Sequence, residues 1–131
     1  MSRIKRKTAA LLAAMMAVVA LLGASLGMAV AGTQSIGTGF NLVGGPIGGD
    51  VAPASWIECV PSSAWSAIYI WDAPNQHWLH FFNTADGTPA YVNQISNGGI
   101  DKIPKFSGVA VMGKASVSNA KFKDSPGQTC S

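Results

Sequence analysis

The sequence predicts a small all-β domain, sandwich-like or a partly closed barrel, with about five to seven short antiparallel strands and a short helical turn near residues 54–60. Three observations predict it. Short runs rich in β-branched and aromatic residues recur along the chain, and turns bearing Gly and Pro separate them. Two of these runs, residues 65–71 and 77–82, flank a Pro-Asn turn in the manner of a hairpin.

Residues 1–31 stand apart from this pattern. Arg3, Lys5, Arg6 and Lys7 form a basic start, residues 9–22 are an unbroken apolar run, and Ala29-Val30-Ala31 offers small side chains to a signal peptidase. This reads as a secretory signal peptide cut after Ala31. A retained anchor is the alternative, since the apolar stretch 9–31 reaches the ~20 residues that a spanning helix needs. No cysteine stands near the small residues and the arginines are not adjacent, so the general secretory route to a bacterial exterior is expected. Localisation is therefore read as secreted, with no membrane association after cleavage.

The 100 residues that follow hold five lysines, no arginine and six acidic residues, for a net charge of −1. Such a surface cannot release the counterions that drive binding to phosphate backbones, so nucleic acid is excluded as a partner. The charge is segregated: Asp50, Glu58, Asp72 and Asp86 precede residue 100, and every lysine follows it. Cys59 and Cys130 are the only cysteines, and in an oxidising exterior they are expected to pair. A loop of about 70 residues closed in this way is worth roughly 4 kcal/mol on the chain-entropy model.

Taken in order, residues 32–38 are small and polar and are expected to be a flexible lead-in to one β-rich domain over 39–131. Residues 40–43 read as a strand stopped by Gly44-Gly45-Pro46. Pro53 and Pro61 forbid a long helix, but Ser55 and Glu58 have capping-box spacing and allow one or two helical turns. In the hairpin, Asp72 opposite His77 places Trp71 against Trp78, Tyr69 against His80 and Ala67 against Phe82. One face is then an aromatic plate, while Ile68, Ile70, Leu79 and Phe81 form the opposite, core-facing set. Residues 91–95 suggest a short extended or single-turn element and 106–112 a clear strand. Two weaker strands are expected over 115–118 and 120–122, before Ser125-Pro126-Gly127 turns the tail toward Cys130.

Gly39-Phe40-Asn41-Leu42-Val43-Gly44, the strand ending Trp71-Asp72, Trp78 beyond it, and Ile103-Pro104 leading into Gly108-Val109-Ala110-Val111 follow one another in a familiar order. Over residues 39–112 the chain resembles the "GWNLVG" β-modules of bacterial extracellular and surface proteins. The resemblance implies a small exported β-domain. Phe40 stands where those modules often have Trp, and Val109-Ala110 where they often have Tyr-Trp, so no aromatic binding role carries over to these positions.

Chemistry is sparse. His77 and His80 lie three apart, which converges on a helix but diverges on a strand, so no metal is expected. Only Asp72 and Asp86 are near enough in sequence to serve a histidine in acid–base work, and after residue 31 there is no G-x-S-x-G nucleophile turn. The glycines of 44–49 lack the Lys-Ser/Thr ending and helix of a phosphate cradle, so no cofactor is expected. The four tryptophans, Trp56, Trp65, Trp71 and Trp78, are the unusual feature, since a domain of this size at ordinary usage holds about one or two. They either fill a second core layer or make an exposed plate. In the second case Tyr69, Trp71, Trp78 and His80 are the candidate binding residues. The expected function is a non-enzymatic extracellular binding module whose partner is a protein or a glycan; the alternative is a small secreted enzyme or enzyme inhibitor. Protein released by the cell should begin at Gly32 by mass spectrometry, and a chain beginning at Met1 would show that the leader is retained.

Overall fold

A computed structural model describes residues 33–130. The basic start, the apolar run and the expected cleavage site all lie outside the described residues. Six strands form: β1 (Gln34–Ile36), β2 (Gly39–Gly44), β3 (Trp65–Asp72), β4 (His77–Phe82), β5 (Gly108–Gly113) and β6 (Val117–Ala120). They make two antiparallel sheets, one of β1 with β6 and one in the order β2-β5-β3-β4. Neither sheet closes into a barrel. A single helical turn, α1 (Pro53–Trp56), and four short 3₁₀ turns complete the described residues.

The hairpin register is the one that the sequence predicts: Asp72 pairs with His77, Trp71 with Trp78, Tyr69 with His80 and Ala67 with Phe82. Its turn is held locally. Asn75 Nδ2 donates to the Asp72 carboxylate at 2.8 Å, and Gln76 takes the left-handed backbone (φ 53°) while its N–H reaches Ala73 O. Alternation then sends Ile68 and Ile70 into the core, with Leu79 and Phe81 packed half-buried against it. From β5 and β2 come Val109, Val111 and Val43, all buried. Ile36 and Ala120 of the small sheet join the same core. So do Trp56, Ile57 and Val60 of the segment between β2 and β3.

Cys59 and Cys130 are disulfide-bonded, Cα to Cα 5.3 Å, and tie the tail to the segment after α1. Beside the bridge Trp56 stacks on Phe122 at 4.3 Å, so covalent and apolar contacts anchor the same stretch. Val51 and Ile103 exchange both backbone hydrogen bonds in an isolated bridge that pins together two long loops. Within the described residues no helix is long and apolar enough to cross a membrane.

Several boundaries differ from expectation. The lead-in 32–38 contains strand β1, because Ile36 is apolar enough to be pulled into the core. The helical turn begins at Pro53, with Ala52 as N-cap and no side-chain cap, so Ser55 lies inside the turn rather than capping it. Proline at the first helical position supplies a preset φ and gives up no needed N–H. Strand β5 starts at Gly108, since Phe106 adopts φ 62° and turns out to solvent. The two weak strands after residue 114 are one, β6. Residues 90–93 form a 3₁₀ turn, one of the two forms expected of that stretch.

Asn83 is the one buried polar side chain among the described residues, and its amide is fully used. Nδ2 donates to Ser62 O (2.7 Å) and Trp65 O (2.8 Å), and Oδ1 accepts from Ala85 N–H (3.0 Å). Removing it leaves buried groups unpaired. Asn83→Ala should therefore lower stability by about 1–3 kcal/mol, and Ile68→Ala, which empties a fully enclosed site, by about 2–5 kcal/mol. Leu42→Ala, on the opposite face, should change the denaturant midpoint little.

Candidate functional site

The face of the four-stranded sheet turned away from the core is apolar as well. Strand alternation places Phe40 and Leu42 of β2 there, then Ala110 and Met112 of β5. Next come Ala67, Tyr69 and Trp71 of β3, and finally Trp78, His80 and Phe82 of β4. Ala67 and Ala110, at the centre, are covered by the larger side chains around them. Toward the margins Phe40 is 65% exposed, Leu42 73%, Trp71 46% and Trp78 56%. Exposed aromatic area gathered on one rigid sheet is uncommon on a surface that touches nothing.

The rings interlock. Trp71 and Trp78 meet edge to face with centroids 5.3 Å apart, near the hairpin tip. Tyr69 stands edge-on to Phe82 at 6.2 Å, and His80 lies 4.7 Å from the same ring. Each contact holds its partner's rotamer, so the plate loses little freedom when something binds it.

Beyond the pair Tyr69–Ala110 the ladder between β3 and β5 ends. A cleft of about 380 Å³ opens there, with Trp71 and Trp78 on one side, Leu42 and Pro104 on the other, and Gly108 and Ala110 between. The volume suits a small ligand or one large side chain. No charged residue lines it, and its one hydroxyl, Ser107 Oγ, donates to Pro104 O. Within the described residues no hydrogen bond engages the indole N–H of Trp71 or Trp78.

His80 has a different situation. Its backbone N–H donates to Gly98 O and its carbonyl accepts from Ile100 N–H, while its ring Nε2 lies 2.8 Å from Val92 O. Residues 92–100 thus form a strap along the outer edge of β4. Asn93 completes it: Oδ1 accepts from Phe82 N–H at 2.7 Å and Nδ2 donates to Phe82 O at 2.8 Å, as a neighbouring strand would. The strap can pass only because residue 99 is glycine, where a Cβ would lie 2.0 Å from Asn93 O.

All four candidate binding residues therefore share one face. Tyr69, Trp71 and Trp78 present ring surface, and the His80 ring is held by the strap. Phe40, Leu42 and Pro104 belong to the same surface and are not evident from the sequence. The run Phe-Asn-Leu-Val is apolar at three of its four positions and does not reveal which pair faces out.

Of the acid–base candidates only Asp72 and His77 come together, and they do so outside either cavity. Asp72 pairs with His77 at 3.3 Å on the exposed tip, and Asp86 is engaged by Lys114. None of these residues, nor His80, lines the cleft or the second cavity, of about 460 Å³, beside the disulfide. Glu58 does line that second cavity, but its carboxylate is held by Lys123. No three His, Cys, Asp or Glu side chains gather around a common point among the described residues. In comparisons with family models, curated proteins and solved structures, the chain matches none.

Gly99→Ala should force the strap away from β4. Amide exchange at His80 should accelerate and stability should fall by about 1–3 kcal/mol, because paired backbone groups lose their partners. Unchanged exchange there would show that the strap tolerates the methyl group.

Proposed function

We propose that the chain is a non-enzymatic extracellular binding module that uses the outer sheet face to hold a partner. The observation that carries this reading is the exposed, uncharged cleft between Trp71 and Trp78 on one side and Leu42 and Pro104 on the other. A rigid aromatic wall with a neutral lining fits an apolar side chain offered by another protein, since Trp and Tyr dominate contacts that carry binding energy. A glycan is the second reading. Sugar rings stack on indole faces, and the free N–H groups of Trp71 and Trp78 offer donors at the rim, but a lining with one committed hydroxyl supplies little else for sugar hydroxyls.

Export is part of the proposal. The basic start, apolar run and small-residue site of residues 1–31 support it, and so does the disulfide between Cys59 and Cys130, which persists in oxidising surroundings. The resemblance of residues 39–112 to "GWNLVG" modules points the same way.

The test is retention of envelope and medium proteins on the immobilised chain, run beside a glycan array, with Trp78→Ala and Trp71→Ala as controls. Both variants should melt within a few degrees of the parent, since roughly half of each side chain is already in water. A protein retained by the parent and lost from both variants is the expected outcome. Array binding that depends on the tryptophans would select the glycan, and retention indifferent to both substitutions would remove the face from the reading.

A further inference from the structure

Strand β2 is an edge of the four-stranded sheet, with β5 as its hydrogen-bonded neighbour. Which way its backbone groups point follows from two contacts. Gly45 N–H donates to Ser107 O, continuing the β5 ladder, whereas Gly44 N–H donates to Gln34 Oε1 on the other side. Groups along a strand alternate, so Asn41 and Val43 turn toward β5 while Phe40, Leu42 and Gly44 turn outward.

The Gly44 N–H is occupied by Gln34, and beyond Phe40 the chain bends at Gly39, whose φ is 86°. The open row is therefore the N–H and C=O of Phe40 and Leu42, symmetric about Asn41. No hydrogen bond from outside β2 and β5 reaches that row among the described residues. Strand β2 also carries no charged residue, the usual protection of an edge against pairing. The opposite edge is covered at His80 by residues 98–100 and at Phe82 by Asn93.

We propose that β2 pairs antiparallel with β2 of a second copy of this chain, about a two-fold axis at Asn41. Phe40 of each copy then stands opposite Leu42 of the other. Phe40 N–H donates to Leu42 O and Leu42 N–H to Phe40 O in both directions, which fills the open row completely. A two-residue row that is symmetric about its centre is saturated by its own image, and a longer foreign strand would gain only the Gly44 carbonyl. The side chains agree with the backbone. Phe40 and Leu42, at 65% and 73% exposure, lie on the same face and meet across the join. The two outer faces become one continuous surface.

This inference is independent of the binding reading, because it rests on the edge rather than on the tryptophans. The test is sedimentation of the purified chain over a concentration series, combined with amide exchange measured residue by residue. Dimers should form as concentration rises, and the Phe40 and Leu42 amides should pass from fast to slow exchange in step. Leu42→Pro removes one outward N–H while keeping every bond to β5, a change that edge strands accept, and it should sediment as a monomer. Leu42→Lys, which places charge at the join without altering the backbone, should do the same. Trp78→Ala should remain dimeric. Fast exchange at both amides at every concentration would overturn the proposal, as would a folded Leu42→Pro chain that still dimerises.

Discussion

The turn over residues 73–76 decides which side of the sheet every side chain of β3 and β4 occupies. Asn75 bonds Asp72, Gln76 takes a left-handed backbone, and Asp72 is left facing His77. A slip of one residue would turn one strand over relative to the other and carry either Ile68 and Ile70 or Leu79 and Phe81 into solvent. The core therefore depends on this register, and so does the plate. The pairing of β5 with β3 propagates it, bringing Val109 and Val111 to the inner side and Ala110 and Met112 to the outer.

The molecule uses its apolar residues on both sides of one sheet and covers only one of them. The inner side is roofed by the small sheet and by the segment around α1, which the disulfide fastens. At the centre of the outer side the residues are small: Ala67 and Ala110 fill in beneath their neighbours without needing a second layer. Large rings and aliphatic groups are left at the margins, where they stay accessible. The cleft lies where the β3–β5 ladder stops, so a break in pairing, rather than a fold of loops, creates the concavity.

Much of this was legible in the chain. Strand-forming runs, turn residues and the two cysteines indicate an all-β fold with one bridge, and the Pro-Asn turn between two aromatic runs gives the hairpin and its partners. What stayed hidden depends on long-range contacts. Gln34-Ser35-Ile36 looks like loop because three residues carry no periodicity, and β1 exists only because Ile36 finds the core and β6 finds its backbone. Nothing in the chain announces that Asn41, Asn83 and Asn93 spend their amides on backbone groups, each with a partner more than ten residues away. Phe40 and Leu42 could be assigned to a face only once β2 had a partner. The Ser55–Glu58 spacing misled, since a proline just upstream started the turn first.

The Asn93 amide has a consequence for how far assembly could run. A sheet with two bare rims can add copies at either side and grow without limit, which is how fibrils begin. Here one rim is occupied by a side chain of the same molecule, held in place by the glycine behind it. In polymer terms the two rims of the four-stranded sheet are unequally reactive. Strand β2 offers the groups of Phe40 and Leu42, whereas on β4 those of His80 and Phe82 are already spent within the same molecule, and growth by addition at that side is disfavoured.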